Sequence, residues 1–208
     1  TGAEFEKRLA ASWACFNKLW PVLSRRDADL TKRLRIFDSD VGQSLLWCCE
    51  SWVLTAEQKT SLRTTQRSML RRVACRRRAP DEDYLTWVAQ ATQEAEAALK
   101  AAGIKTWLEA HLQRKWTWAG HILRMNDERW AKRTTLWRDS QWTAQHDDDT
   151  TRARRNGRTH WFRWEDDFKR FAASRAWTSW QATAAEMTTA EWNSYAASFA
   201  IFAARRLA

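Results

Sequence analysis

The sequence predicts an all-α fold, an irregular helical bundle or bundles with a basic surface and a flexible polar linker around residues 143–156. Three observations lead there. Only 5 Gly and 2 Pro among 208 residues leave few turn formers for hairpins and sheets. Apolar residues recur at steps of three and four instead of alternating. Threonine-led capping signals, Thr55-Ala56-Glu57-Gln58 and Thr188-Thr189-Ala190-Glu191, stand just ahead of two such stretches.

From Phe5 to Trp20 the positions Phe5, Leu9, Trp13, Phe16 and Trp20 share one helical face, and Pro21 is expected to end that helix. Thr31 to Phe37 interleaves Leu34, Ile36 and Phe37 with cations, and the run Val41–Val53 is apolar enough to be buried as helix or strand, with helix preferred. A helix should run from the Thr55 capping box to about Val73. Pro80-Asp81-Glu82-Asp83 supplies an acidic first turn, favourable at the positive end of the helix dipole, for a helix reaching Ala102 and stopped by Gly103. Ile104 to Arg124 follows, carrying Leu108, Leu112, Trp118, Ala119, Ile122 and Leu123. Thr143 to Asn156 holds Asp147-Asp148-Asp149, then Arg152, Arg154 and Arg155, without apolar periodicity, and is read as the linker. Trp161 to Ala176 is expected to be helical. Thr188 caps a last helix whose Trp192, Tyr195, Phe199 and Phe202 form a packing or pairing face.

With 35 Lys+Arg against 25 Asp+Glu the formal charge is +10, so polyanions are the natural partners. Sixteen Trp against two Tyr fits a stacking function, an indole-rich core or the codon bias of a GC-rich genome. Cys15, Cys48, Cys49 and Cys75 have no C-x-x-C spacing and are read as reduced intracellular thiols. No segment approaches the ~20 apolar residues that span a bilayer, so a soluble chain without membrane partners is expected. The opening Thr1-Gly2-Ala3 reads as that of a fragment.

Cations and indoles meet in several blocks. Arg158, Arg163 and Arg124 can hold phosphates, while Trp161, Trp164 and Trp118 offer faces to a base or guanidinium. Arg71-Arg72-Val73-Ala74-Cys75-Arg76-Arg77-Arg78 is a dense cationic run, read equally as a solvated or nuclear-import patch and as a phosphate contact. The order of the blocks adds more. Leu45-Leu46-Trp47-Cys48-Cys49-Glu50-Ser51-Trp52-Val53-Leu54-Thr55, then Gln66-Arg67-Ser68-Met69-Leu70-Arg71-Arg72, then Trp118-Ala119-Gly120-His121-Ile122-Leu123-Arg124, then Gly157-Arg158 to Asp167 resemble the region after the polymerase core in LINE-like, non-LTR retrotransposon reverse transcriptases. That family typically carries LLYGxESWxLT, QRxMLR, WxGHxLR and GRxPxxRWxDD in this order. Trp47-Cys48 replaces its usual Tyr-Gly, and the family's terminal Cys/His zinc knuckle is missing.

The resemblance implies a thumb-like helical region at 1–80, a helical region with the Trp-x-Gly-His block at 81–142, the linker at 143–156 and a C-terminal helical region at 157–208. It implies a nuclear fragment of an RNA-directed DNA polymerase that grips RNA or DNA and docks on the palm and fingers of its parent. The parent's Mg2+ would sit on palm aspartates that this chain lacks, so no cofactor and no catalytic residue are expected here. Expected nucleic-acid contacts are Arg124, Arg154, Arg155, Arg158, Arg163 and the stacking Trp161, then Arg71, Arg72, Arg76, Arg77 and Arg78. Trp52, Trp118 and Trp164 are equally candidates for the core.

Trp164-Glu165-Asp166-Asp167 has the aromatic-x-Asp-Asp form of a polymerase site but lacks flanking apolar strands and an upstream partner carboxylate. A helical acidic patch paired with nearby Arg is the preferred reading. His121 and His160 lack metal-ligand spacing, and a structural His121 near a helix end or packed on Trp118 is preferred. Behind the leading reading rank a helical protein-interaction scaffold, a metal-dependent nuclease using His121 and His160, and a decayed element without present activity.

Overall fold

The computed structural model describes residues 2–136 and 163–205, whose regular structure is all helical, with no strand among them. The element order is α1 (Gly2–Leu23), α2 (Leu30–Ile36), a π turn (Phe37–Gly42), α3 (Gln43–Leu45), a 3-10 turn (Cys49–Ser51), α4 (Ala56–Ala74), α5 (Tyr84–Ala101), α6 (Trp107–Leu123), α7 (Trp130–Leu136), α8 (Asp166–Ser174), α9 (Trp180–Glu186), α10 (Thr189–Ser194) and α11 (Ala196–Ala204). One core cluster runs from Phe5 to Ala203. The expected linker at 143–156 lies outside the described residues.

Helix α1 buries Phe5, Ser12, Phe16 and Leu23. It continues through Pro21 instead of ending there, because a proline in the final turn forfeits one amide donor while the residues beyond it still bond, Ser24 N–H reaching the Trp20 carbonyl at 2.9 Å. Asp29 caps α2 by accepting from Lys32 N–H at 3.0 Å. Buried Arg33 then donates through Nη1 to the Leu23 carbonyl at 3.0 Å and the Val73 carbonyl at 2.6 Å, joining the C-terminal ends of α1 and α4. A cation satisfying orphan carbonyls at two helix ends is favourable against both dipoles.

The run Val41–Val53 is broken. It leaves the helix after Leu45, reverses at Cys48 with φ +54 and ends in extended Trp52. Leu45, Leu46, Cys49, Trp52 and Leu54 are buried, so the apolar pattern reports burial and not helix.

The Thr55–Gln58 capping box forms, and α4 lays Leu62, Gln66, Met69, Leu70 and Val73 on the core. Helix α5 begins at Tyr84 with Asp83 as its cap, later than the acidic turn suggested, since the Asp83 carboxylate accepts from Thr86 N–H at 2.9 Å. Glu82 is thereby left to pair with Arg76. Gly103, with φ +72, reverses the chain after α5, and Ile104 N–H returns to the Leu99 carbonyl at 3.1 Å.

Helix α6 is the spine. Trp107, Leu108, His111, Leu112, Lys115, Trp116, Ala119, Gly120, Ile122 and Leu123 are all buried on it. Its N-terminus is closed by two elements: Thr106 accepts from Glu109 N–H, and Gln66 of α4 accepts from Trp107 N–H at 3.0 Å. The expected last helix is two. Thr188 caps it as anticipated, but the chain breaks at Tyr195 into α10 and α11, which places Trp192 and Phe199 on the same aromatic cluster around Trp116.

His111 is wholly buried, and desolvation together with the nearby ammonium groups of Lys115 and Lys59 pushes its imidazole down to about 3. The unfolded imidazole titrates near 6.5, so the stabilising contribution of neutral His111 is complete above pH 6.5 and is lost as pH falls toward about 3. Urea titrations between pH 7 and 4 should show stability falling in that window by up to about 1.4 kcal/mol per pH unit. The isosteric His111→Gln protein should flatten the slope.

Candidate nucleic-acid interface

The sequence blocks converge on α6, and mostly on its buried side. From the first, Trp52 packs on His111 with ring centroids 5.9 Å apart, and the Glu50 carbonyl accepts from Trp164 Nε1 at 2.6 Å. From the second, Gln66 caps the helix. From the third, Gly120 admits Trp192: a Cβ there would lie 2.4 Å from the Trp192 ring and 2.9 Å from Arg124 Nη2. The fourth supplies Asp167, whose carboxylate takes the ammonium of Lys115 at 3.3 Å with both side chains buried.

The Asp-Asp pair is therefore structural. Asp166 accepts from the backbone N–H of Arg163 at 2.8 Å, and Asp167 pairs with a lysine of α6. Burial pushes the Lys115 ammonium down while Asp167 raises it. Lys115 also stands 5.4 Å from the Phe168 ring and 5.7 Å from that of Trp164. Among the described residues no group of three or more His, Cys, Asp or Glu is placed to hold a metal ion. All four cysteines are free, and burial raises Cys49 to about 12, which leaves it a protonated, inert thiol.

The predicted contact residues separate into three groups. Arg154, Arg155, Arg158 and Trp161 lie outside the described residues, as does His160. Arg71, Arg72, Arg76, Arg77 and Arg78 gather at the α4–α5 corner with differing freedom. Arg76 is tied to Glu82 at 2.9 Å, to Gln90 at 2.8 Å and to Glu94 at 3.4 Å, and Arg71 donates to Thr92. Arg72 lies over the Trp13 ring, while Arg77 and Arg78 are exposed. Arg124 ends α6 with Nη1 on the Ala184 carbonyl at 3.0 Å; Arg163 is half-buried against the core.

The outer side of α6 carries a groove of about 690 Å³, walled by the π turn, the first block and the α5–α6 connection. Lys105, Arg114, His121 and Arg124 line it together with Trp118, Asp38 and Glu50. Arg114 donates to the Leu46 carbonyl at 3.0 Å and to Gln43, which holds its guanidinium against the wall. The sequence had singled out Arg124 and Trp118 but not Arg114, which shares their helix, or Lys105, which precedes it in the α5–α6 connection. His121 is exposed and stacks obliquely on Trp118 at 5.4 Å, the placement preferred from sequence.

Among proteins of known description this all-α, basic chain has its likeness in transposon-derived sequence. It is 28% identical over 174 residues, 83% of its length, to an uncharacterized transposon-derived protein of Caenorhabditis elegans. The chain spans about half, 55%, of that relative's length. No family model matches it, and no solved structure does.

Two substitutions test the structural role of the blocks. Gly120→Ala should lower the free energy of unfolding by about 2 kcal/mol, because the added methyl displaces Trp192 from a packed core, even though alanine is the better helix former by about 1 kcal/mol. Cys48→Gly, which removes the Cβ at a left-handed position, should raise it by about 1 kcal/mol. Both are read by chemical denaturation.

Proposed function

We propose that this chain is the thumb and carboxy-terminal helical part of a LINE-like reverse transcriptase, gripping template, primer or element RNA during target-primed reverse transcription. The observation that carries the reading is the set of four ordered blocks, whose described parts interlock on α6 as one architecture. The resemblance to a transposon-derived protein supports the same origin. In this reading the chain does not polymerise by itself. Its parent's palm and fingers complete the active site and hold the Mg2+, and the whole acts in the nucleus where target DNA lies.

Binding is electrostatic first. Arg72, Arg77 and Arg78 at the α4–α5 corner meet phosphates, with Arg124, Arg154, Arg155, Arg158 and Arg163 completing the contact and Trp161 stacking on an unpaired base. Arg71 and Arg76 support that corner by holding α5 against α4. A helical scaffold is the second reading, favoured by the exposed Tyr84, Leu85 and Trp130. Self-assembly that depends on concentration, without affinity for RNA, would select it.

Fluorescence anisotropy with labelled duplex DNA and single-stranded RNA at several salt concentrations tests the leading reading. Log affinity should fall against log salt by about 0.9 per phosphate neutralised on duplex and about 0.7 on single strands. The double variant Arg77→Ala, Arg78→Ala should flatten the slope by about one to two contacts while leaving the melting temperature unchanged. A flat salt response in the unaltered chain would refute the reading.

A further inference from the structure

We infer that the groove on the outer side of α6 is a subsite for a short single-stranded segment, with Trp47 and Trp118 as stacking faces and Lys105, Arg114 and Arg124 as phosphate contacts. This rests on the nucleic-acid reading above and adds to it a place, a strand state and three residues outside the arginine runs.

The length fits. Arg114 and Arg124 are ten residues apart on one helix, about 15 Å along its axis at 1.5 Å per residue, the rise of about four stacked nucleotides at 3.4 Å each. Trp118 and His121 fall between them on the same face. The two guanidinium groups are pre-positioned, Arg114 by the Leu46 carbonyl and Arg124 by the Ala184 carbonyl, so little side-chain freedom is lost on binding a phosphate. Lys105 extends the cationic line at the other end, held by Gln113.

Trp47 supplies the second observation. It is 62% exposed in a chain that buries Trp52, Trp107, Trp116, Trp180 and Trp192, and it sits between Leu46 and Glu50, both of which line the groove. The left-handed turn at Cys48 directs the chain back into the core immediately after it, so Trp47 stays outside while Cys49 goes in. An exposed indole at a tight turn, next in the chain to a residue that lines a cationic groove, is a platform for a base, since every base has a face to stack. Duplex does not present unstacked bases, whereas a single strand does. In the same groove, the carboxylates of Asp38 and Glu50 can accept from exocyclic amino groups, the edge chemistry by which acidic side chains take cytosine N4.

The test uses the full chain with a fluorescein-labelled eight-nucleotide RNA and a labelled DNA duplex. Trp47→Ala should weaken RNA binding about tenfold, Trp47→Phe should recover most of it, and Lys105→Glu should weaken it similarly. All three should leave duplex affinity within about twofold. Trp47 and Lys105 are exposed, so circular dichroism should report unchanged folding. If Trp47→Ala and Lys105→Glu bind RNA as the unaltered chain does, the groove is not the subsite, while the broader reading survives on the arginine corner. If the unaltered chain binds neither probe at low salt, that broader reading fails and the groove assignment falls with it.

Discussion

Two tryptophans hold the halves of this molecule together. Trp116 and Trp192 stack with ring centroids 3.9 Å apart and planes 4° from parallel, and each indole N–H donates to the other residue's carbonyl, at 2.8 and 2.9 Å. The exchange satisfies both buried donors without water and fixes the register of α10 against α6. Around it close Trp177, Phe168, Phe171 and Phe199. The arrangement exists only because residue 120 has no side chain: the Trp192 ring occupies the space a Cβ would need. A buried donor left unmade costs roughly 1–3 kcal/mol, so the reciprocal pair constrains every element that touches it.

A second constraint is the handling of buried charge. Lys115 and Asp167 link α6 to α8 in the interior, and Arg33 links the ends of α1, α2 and α4. Removing one member of a buried ion pair typically costs about 3–5 kcal/mol because the other is stranded. These contacts therefore act less as sources of stability than as specifiers of which helices meet. They explain why an Asp-Asp pair with the look of a catalytic group is committed to the architecture.

The four ordered blocks thus have two sides. Their buried residues, Trp52, Gln66, Gly120 and Asp167, assemble the bundle. Of their outward residues, Trp118, His121 and Arg124 line the groove, and Trp47 stands exposed next to Leu46, which lines it too. The proposed function draws on the second set, which the first holds in place.

The sequence alone determined the helical class, because scarce Gly and Pro together with a period near 3.6 admit little else. It determined the caps at Thr55 and Thr188 and the stop at Gly103, since these are local contests between a side chain and the next few amides. It did not determine which tryptophans are core, where the apolar run after Val41 stops being helix, or that Pro21 lies inside α1. Nor did it show that His111 and Lys115 are buried, or that Lys105 and Arg114 share a groove with Arg124. Each depends on a partner far along the chain: Trp116 needs Trp192, Lys115 needs Asp167, and Trp107 needs Gln66. Local pattern registers that a face is apolar, but burial, charge pairing and the exposure of a single indole are decided by what packs against that face.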